Sequence, residues 1–380
     1  MKKLTGEVLI IDAPDRSADL YYGCRFWAPD PLVFLMQRKT RHLVVSKLEY
    51  GRAEKHARVQ QEVGKLNVWT PDMLGVGSKK RVQLSEWALA LIRHLEVQQI
   101  IVPPTFPHGI ADRLRRSNVH IKICKGSLFP ERETKTKDEL SKITESQKAA
   151  TEAMKAAINL IRKSRVSPAG FLMLTKNQRL HSEHVQRAIQ DVLLDRRTLC
   201  KDVIVAGGLQ ATDPHERGHG PLRACETIAI DIFPQHLDHG YWGDLTRTVF
   251  KGTAPTPVKR MYAAVKAAHD AAIRAVGPRV ACSTIHERAA ETLRKRNFKT
   301  EIRGDTAVGF IHSTGHGLGL EIHESPSLGG RPGRLRAGNV ITIEPGLYYP
   351  ELGGIRVEDT VVVTSKGART LVACPHVFEV

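Results

Sequence analysis

Three stretches of the carboxy-terminal half combine residue types that could bind metal ions. They are Thr227-Ile-Ala-Ile-Asp-Ile-Phe233 with Gly243-Asp-Leu-Thr-Arg-Thr248, Ser313-Thr-Gly-His-Gly-Leu-Gly319, and Ile341-Thr-Ile-Glu-Pro-Gly346 with Gly354-Ile-Arg-Val-Glu-Asp359. Each places a carboxylate or a histidine in an apolar or glycine-rich setting. We hypothesise that two divalent metal ions are bound by Asp231, Asp244, His316, Glu344 and Glu358.

The alternation of side chains along a β-strand predicts where several of these carboxylates point. In the first stretch the isoleucines share one face of the strand and Asp231 lies on the other. The same alternation places Glu344 and Glu358 on one face of a hairpin that turns at Gly353-Gly354. Facing carboxylates repel each other unless a cation or a proton lies between them. Two divalent cations would balance the four carboxylates, and a hydroxide bridging the cations would be a nucleophile.

Each candidate also has an ordinary structural explanation. A single acid in a strand usually faces water or pairs with a neighbouring Lys or Arg, and with 17 histidines in the chain a lone one carries little information. His316 is flanked by glycines, which let the backbone approach a metal or a substrate. His215 and His323 are either candidates to hydrogen-bond a reacting carbonyl or structural and surface histidines.

Hydrophobic periodicity predicts the elements that position these residues. In residues 1 to about 130, helical patterns alternate with β-rich runs. The helical patterns lie at 47–59 and at 85–95, the second with Ser85 as its cap. The β-rich runs lie at 8–11, 32–36, 42–46, 100–102 and 119–123. This alternation is typical of an α/β domain with a largely parallel or mixed sheet.

The polar stretch at residues 130–137 reads as a linker, and the pattern changes after it. Apolar spacing predicts a long amphipathic helix from Leu140 to Ile161 and further helices that start near Ser182, Thr256 and Ser283. A strand-rich segment from Phe310 would complete an α+β domain whose sheet carries the site. We therefore predict two domains, residues 1–134 and 135–380.

Length and charge limit the other possibilities. At 380 residues the chain can form two cores, because single cores stop growing near ~250–300 residues. The 57 Lys and Arg exceed the 40 Asp and Glu, which gives a net charge of +17. These basic residues are scattered in short clusters without interleaved aromatics. A solvated basic surface is therefore expected, and no dedicated nucleic-acid partner.

Cysteine usage and apolar runs bear on the compartment. The six cysteines stand alone, with no C-x-x-C pair, which favours thiols in a reducing compartment. No apolar run approaches the ~20 residues of a membrane span, and Gly6 and Glu7 stand where a signal peptide would need an apolar segment. We expect a cytoplasmic protein with no membrane partner.

Together these motifs resemble those of the pita-bread metallopeptidases (peptidase family M24), which include aminopeptidase P, prolidase and methionine aminopeptidase. The matching elements, in the family's order, are Asp231 with Gly243-Asp-Leu-Thr-Arg-Thr248, Gly315-His-Gly-Leu-Gly-Leu-Glu-Ile-His-Glu324, Ile343-Glu-Pro-Gly346 and Arg356-Val-Glu-Asp359. They cover roughly residues 135 to 380. The first 130 residues resemble the creatinase-type amino-terminal domain of the aminopeptidase P and prolidase branch.

The resemblance implies a role for each residue. Asp231 would bind one metal, His316 and Glu344 the other, and Asp244 and Glu358 both. Such an oxygen-rich set suits Mn²⁺ and tolerates Co²⁺ or Zn²⁺. Glu344 would also transfer a proton, and the substrate would be positioned by His215, His323 and Arg356.

The activity implied is hydrolysis of the amino-terminal bond of peptides with proline at the second position. The alternatives are an Xaa-Pro dipeptidase (prolidase) and, from another class, a pita-bread scaffold that binds without catalysis. Relatives are often dimers or tetramers, so a homo-oligomer, in the first instance a dimer, is expected by analogy. Asp231 and Asp244 are 13 positions apart, a longer spacing than is usual in the family. The connection between them should be a longer hairpin and is the first place to look for altered specificity.

Overall fold

The computed structural model describes residues 6–59, 64–76, 83–329 and 332–380. The chain divides into two compact units, Met1–Glu131 and Arg132–Val380. Among the described residues, no helix combines the length and apolar character needed to cross a membrane.

The first unit is built on a mixed six-stranded sheet with strand order β4-β3-β2-β1-β5-β6. The strands β1–β6 are Glu7–Asp12, Leu32–Gln37, Thr40–Val44, Leu66–Trp69, Gln99–Val102 and His120–Ile123. The helices α1–α4 are Ala18–Cys24, Lys47–Val59, Leu84–His94 and His108–Arg116. Strands β1, β5 and β6 run parallel, whereas β2 is antiparallel to β1 and β3. The predicted α/β class is confirmed for this unit, although α1, α4 and β4 were not predicted.

One predicted cap in this unit is wrong. Ser85 lies inside α3 and is buried. The helix begins one residue earlier, at Leu84, with Gln83 as its cap. The Gln83 N–H donates to the Glu86 carboxylate at 3.2 Å, and the Glu86 N–H donates to the Gln83 backbone carbonyl at 2.8 Å.

The second unit contains the four predicted helices. The helices α5–α8 are Lys137–Lys163, Ser182–Asp195, Thr256–Ala275 and Cys282–Lys295. Helix α5 begins with a capping box, in which Thr136 Oγ1 accepts from the Glu139 N–H at 3.2 Å and the Glu139 carboxylate accepts from the Thr136 N–H at 2.9 Å. Thr256 was predicted as the cap of α7 but is the first residue of that helix. The cap is Pro255.

The strands of this unit form small antiparallel sheets. The strands β7–β20 are Arg165–Val166, Leu172–Met173, Thr198–Leu199, Ile204–Gly207, Thr227–Ile232, Gln235–His236, Leu245–Phe250, Glu301–Arg303, Thr306–Val308, Val340–Ile343, Gly346–Tyr349, Gly353–Arg356, Asp359–Thr364 and Gly367–Thr370. Three of the sheets matter for the site: β10-β11-β13, β16-β19-β20 and β17-β18. The pairing of β16 with β19 and of β17 with β18 forms one ribbon, called the β16–β19 ribbon. The predicted turn at Gly353-Gly354 is wrong, because both residues belong to β18 and the turn occupies residues 350–352.

Two apolar cores support these sheets. Helices α5 and α6 pack on β11 and β13 around the three isoleucines of β11, and α7 and α8 pack on β16–β19. The isoleucines of β11 lie in the first of these cores, whereas Ala229 on the other face belongs to a separate small cluster. The predicted facing of β11 is therefore confirmed, and Asp231 lies on the face away from the helices.

Candidate metal centre

Two predicted ligands lie at the same end of the β11–β13 pair. Asp231 is the fifth residue of β11, and its register partner in β13 is Thr246. Asp244 immediately precedes β13, and both carboxylates are buried. The Asp244 N–H donates to Gln147 Oε1 at 2.8 Å, and its carbonyl accepts from Gln147 Nε2 at 2.9 Å. This pairing with α5 fixes the backbone at Asp244.

The two predicted glutamate ligands occupy breaks in the β16–β19 ribbon. Glu344 lies between β16 and β17, and Glu358 between β18 and β19. At these points the backbone bonds to neighbouring segments: Glu344 N–H donates to Thr314 O at 2.8 Å, and Glu358 N–H to Thr246 O at 3.1 Å. The second bond joins the ribbon directly to β13, next to Asp244.

Close backbone packing sets the position of His316. A Cβ at Gly315 would lie 2.0 Å from Thr342 O, and one at Gly317 would lie 2.4 Å from Ser325 O. Only glycine fits at such separations. The His316 N–H then donates to Thr342 Oγ1 at 3.1 Å, so the glycine-rich segment is fastened to β16.

The His316 ring is oriented toward the carboxylates in the tautomer that a metal ion needs. Its Nδ1 lies 3.1 Å from Gly317 O and donates to it, which leaves Nε2 as the lone-pair nitrogen. Nε2 lies 3.6 Å from Asp244 Oδ2 and 3.5 Å from Glu344 Oε1. Burial and the neighbouring His323 lower the pKa of His316 to about 4, so the ring is neutral at pH 7.

The buried carboxylates are electrostatically unfavourable without a cation. Burial raises the pKa of Asp244 and that of Glu358 well above the usual range, and the neighbouring carboxylates raise both further. Burial raises the pKa of Glu344 to about 7. Each group therefore resists ionisation, because desolvation and like charges both disfavour the anion.

Two observations indicate that these residues are suited to bind divalent metal ions. Asp244, His316 and Glu358 each offer a ligand atom within 4.8 Å of the others. Asp231 Oδ1 is buried and has no hydrogen-bond partner among the described residues, which calls for an explanation because buried polar atoms are normally paired. A set of carboxylates with one imidazole suits hard or borderline divalent cations.

Arg356 lies beside this cluster in a chain of hydrogen bonds. It donates through Nη2 to Asp231 Oδ2 at 2.6 Å and through Nη1 to Tyr348 Oη at 3.0 Å. Tyr348 Oη lies 2.9 Å from His312 Nε2, and His312 Nδ1 lies 2.7 Å from Ser313 O. The carbonyl fixes the proton on Nδ1, so Tyr348 donates to Nε2. Burial lowers the pKa of His312 to about 3.

Tyr348 and His312 were missed by the sequence analysis. The signal for Tyr348 was strand pairing: it is the register partner of Gly354, which lies two residues from Arg356 on the same face of β18. His312 precedes His316 by the number of residues in about one helical turn, but both lie in a loop. Only the tertiary structure therefore brings His312 to Tyr348.

The two predicted substrate histidines differ in their surroundings. The His323 ring stacks edge-on against His316, with centroids 4.3 Å apart. Burial lowers the pKa of His323, and the charge of nearby His215 lowers it further. His215 itself is exposed. The structure thus brings His323 to the carboxylate cluster and His215 close to His323.

Comparison with known proteins places this arrangement in a family. The model of metallopeptidase family M24 matches residues 141–365, which span all five candidate ligands. The chain belongs to metallopeptidase family M24. The chain is 36% identical over 179 residues to the Xaa-Pro dipeptidase of Pyrococcus furiosus (45% of this chain, 47% of that protein). It is 36% identical over 169 residues to the putative Xaa-Pro aminopeptidase of Mycoplasma genitalium (43% of this chain, 44% of that protein).

The matches span about half the length of these curated relatives. The likeness in fold extends further. The crystal structure of the X-Pro aminopeptidase from Thermotoga maritima superposes with a TM-score of 0.80, covering 99% of this chain and 97% of that chain at 21% identity. This confirms the predicted fold class, an α/β creatinase-type amino-terminal domain followed by the α+β pita-bread domain of M24 metallopeptidases.

Proposed function

We propose that this M24 protein is a metal-dependent aminopeptidase that hydrolyses the amino-terminal bond of peptides with proline at the second position. The observation that carries the proposal is the cluster of Asp244, His316 and Glu358, whose ligand atoms lie within 4.8 Å of one another. The names of the relatives support the substrate class, since they include an Xaa-Pro dipeptidase and a putative Xaa-Pro aminopeptidase.

Two divalent ions, most simply Mn²⁺, would be bound by Asp231, Asp244, His316, Glu344 and Glu358. Bound there, they would lower the pKa of a water molecule and polarise the scissile carbonyl. The neutral His316 offers the lone pair of Nε2, and the unpartnered Oδ1 of Asp231 offers an oxygen. Arg356 pairs with the other oxygen of Asp231, so it holds that carboxylate in one orientation.

The remaining chemistry falls to side chains of the chain itself. Glu344 is proposed to accept the proton of the attacking water and to return it to the leaving amine, as a general base and then a general acid. Its pKa near 7 without a cation shows how strongly its burial favours proton uptake. The neutral His323 is proposed to donate an N–H to the carbonyl oxygen as negative charge develops there. His215, next to it, would assist in positioning the substrate.

A dipeptidase is the second candidate, and the relatives favour it equally. The 36% identity to the Pyrococcus furiosus Xaa-Pro dipeptidase matches that to the putative aminopeptidase. A panel of Gly-Pro, Ala-Pro and longer Xaa-Pro-Pro peptides, assayed with Mn²⁺, separates the two. Cleavage of the longer peptides establishes the aminopeptidase, and cleavage of dipeptides alone establishes the dipeptidase. No turnover of any proline peptide would refute both.

A binding scaffold without catalysis is tested by metal analysis. Fewer than one bound metal per chain under saturating Mn²⁺, with nucleic-acid affinity retained at moderate salt, would favour the scaffold. We also propose a cytoplasmic homodimer. All six cysteines are unpaired, which supports a reducing compartment, and light scattering after gel filtration tests the dimer.

A further inference from the structure

A second cluster of candidate ligands lies on the connection between Asp231 and Asp244. This connection is not a simple hairpin, because it contains β12, which pairs with β9. His236 and His239 project from it with their rings stacked, 3.9 Å between centroids and 13° between planes. Both are buried, with 5% and 9% of their surface exposed. They face Glu145 on α5.

The three residues each offer a ligand atom within 4.8 Å of the others, and the two separations from Glu145 are close to those between atoms around a small cation. Glu145 Oε1 lies 3.4 Å from His236 Nε2, and Oε2 lies 3.5 Å from His239 Nε2. Hydrogen bonds between such atoms are usually ~2.7–3.2 Å long, and His239 Nε2 is buried without a hydrogen-bond partner among the described residues. In tetrahedral zinc sites with bonds of about 2.0–2.1 Å, neighbouring ligand atoms are separated by roughly 3.3 Å.

Metal binding through Nε2 requires both rings to change tautomer. The Nδ1 atoms accept long backbone hydrogen bonds of 3.2 Å from the N–H groups of Asp238 and Tyr241. Binding through Nε2 moves the ring proton to Nδ1 and gives up these bonds. The Asp238 carboxylate, 3.9 Å from His236 Nδ1, is then placed to accept a hydrogen bond from that N–H, as carboxylates do behind zinc-bound histidines.

We propose that Glu145, His236 and His239 form a third divalent-metal site, separate from the dinuclear centre. Two imidazoles with one carboxylate are a ligand set that zinc favours, and the fourth position would be open to water.

The site would fasten the connection to α5 at the position where α5 already contacts it. Ser146 Oγ donates to Tyr241 O at 2.8 Å, and Gln147 bonds the backbone of Asp244 on both sides. Glu145 is the preceding residue of the same helix. An ion at Glu145 would thus add a third tie between α5 and the segment that ends at the ligand Asp244.

The test isolates this site in the full-length chain by disabling the dinuclear centre. The background variant is Asp244→Asn, His316→Asn and Glu358→Gln, with its fold checked by far-UV circular dichroism. Titration with Co²⁺, read by the visible absorption of tetrahedral cobalt, should give one bound ion per chain, and Zn²⁺ should displace it. Zinc should also raise the melting temperature, because a ligand that binds the folded state stabilises it.

Glu145→Ala in that background should weaken Co²⁺ binding by at least roughly tenfold and abolish the zinc-dependent rise in melting temperature. Glu145 is mostly exposed, so its loss leaves the fold intact. His184→Ala is the matched control, because His184 belongs to another pair of neighbouring histidines, in which its ring lies edge-on to His181. It should bind Co²⁺ like the background.

Absence of tetrahedral cobalt in the background, or equal binding in the Glu145→Ala variant, would overturn the proposal. If the background variant does not fold, the same comparison is made with the native ligands present. Equilibrium dialysis should then give one zinc fewer per chain for Glu145→Ala than for the unmodified protein, and equal zinc contents would overturn the proposal.

Discussion

The buried carboxylates predict that replacing Glu344 by glutamine stabilises the metal-free protein. Burial raises the pKa of Glu344 from 4.5 to about 7. An acid whose pKa is raised by folding keeps its proton in the folded protein after the unfolded chain has lost it. The free energy of unfolding therefore falls as the pH rises from about 4.5 to about 7, and the loss is complete above that range.

The size of the effect follows from the two pKa values. At about 1.4 kcal/mol for each tenfold change in proton affinity, Glu344 destabilises the metal-free protein by roughly 3 kcal/mol at pH 8, and by less than about 1 kcal/mol at pH 5. For a domain of this size, 1 kcal/mol shifts the melting temperature by roughly 2–4 °C. Glu344→Gln should therefore raise the melting temperature by roughly 6–12 °C at pH 8 and by at most a few degrees at pH 5.

The assay is thermal unfolding of chelator-treated protein, followed by circular dichroism at both pH values. Glu287→Gln is the matched control, because Glu287 is an exposed glutamate on α8, and it should leave the melting temperature unchanged. With saturating Mn²⁺ the sign should reverse, since the variant lacks a ligand. Equal shifts at pH 5 and pH 8, or a lower melting temperature at pH 8 without metal, would refute the reasoning.

Substitutions at three further positions test the site and its support. Asp244→Ala should abolish activity with an unchanged far-UV spectrum, and wild-type turnover would contradict its proposed place between the two ions. His323→Ala should lower kcat by ~10²–10³, as loss of a donor to a developing oxyanion does, and an unchanged kcat would exclude that role. Asp359→Ala should destabilise the protein by roughly 3–5 kcal/mol in urea unfolding, because it leaves the buried Arg247, whose Nη2 donates to Asp359 Oδ1 at 2.7 Å, without its carboxylate. Asp359→Asn, which keeps an acceptor, should cost less, and equal losses would assign the effect to packing.

The sequence was informative where a short pattern determines the structure. The isoleucines of β11 alternate, so the face of Asp231 could be predicted without knowing its neighbours. The apolar repeat from Leu140 to Ile161 likewise predicted α5. The five candidate ligands stood out because they are acids and one histidine in apolar or glycine-rich surroundings, where ordinary surface residues are uncommon.

The sequence failed where partners meet only through the tertiary structure. Tyr348 and His312 become part of the site through the register of β17 with β18 and a loop contact. A long stretch of the second unit's sequence separates Glu145 from His236, so no local sequence pattern indicates that they are neighbours. The turn at residues 350–352 was misplaced because Gly353-Gly354 has turn-like composition, yet strand pairing retains both glycines in β18.

Pro345 interrupts the hydrogen-bond ladder of the β16–β19 ribbon. It follows Glu344 directly and, lacking an N–H, cannot extend the ladder of β16 into β17; only its carbonyl takes part, accepting from the Val357 N–H at 3.4 Å. The register nevertheless continues unchanged across this interruption, since Ile343 pairs with Asp359 and Gly346 with Arg356. A slip of one residue in the β17–β18 hairpin would therefore move Glu344 out of its place opposite Glu358, so the turn at residues 350–352 sets the pairing of two candidate ligands.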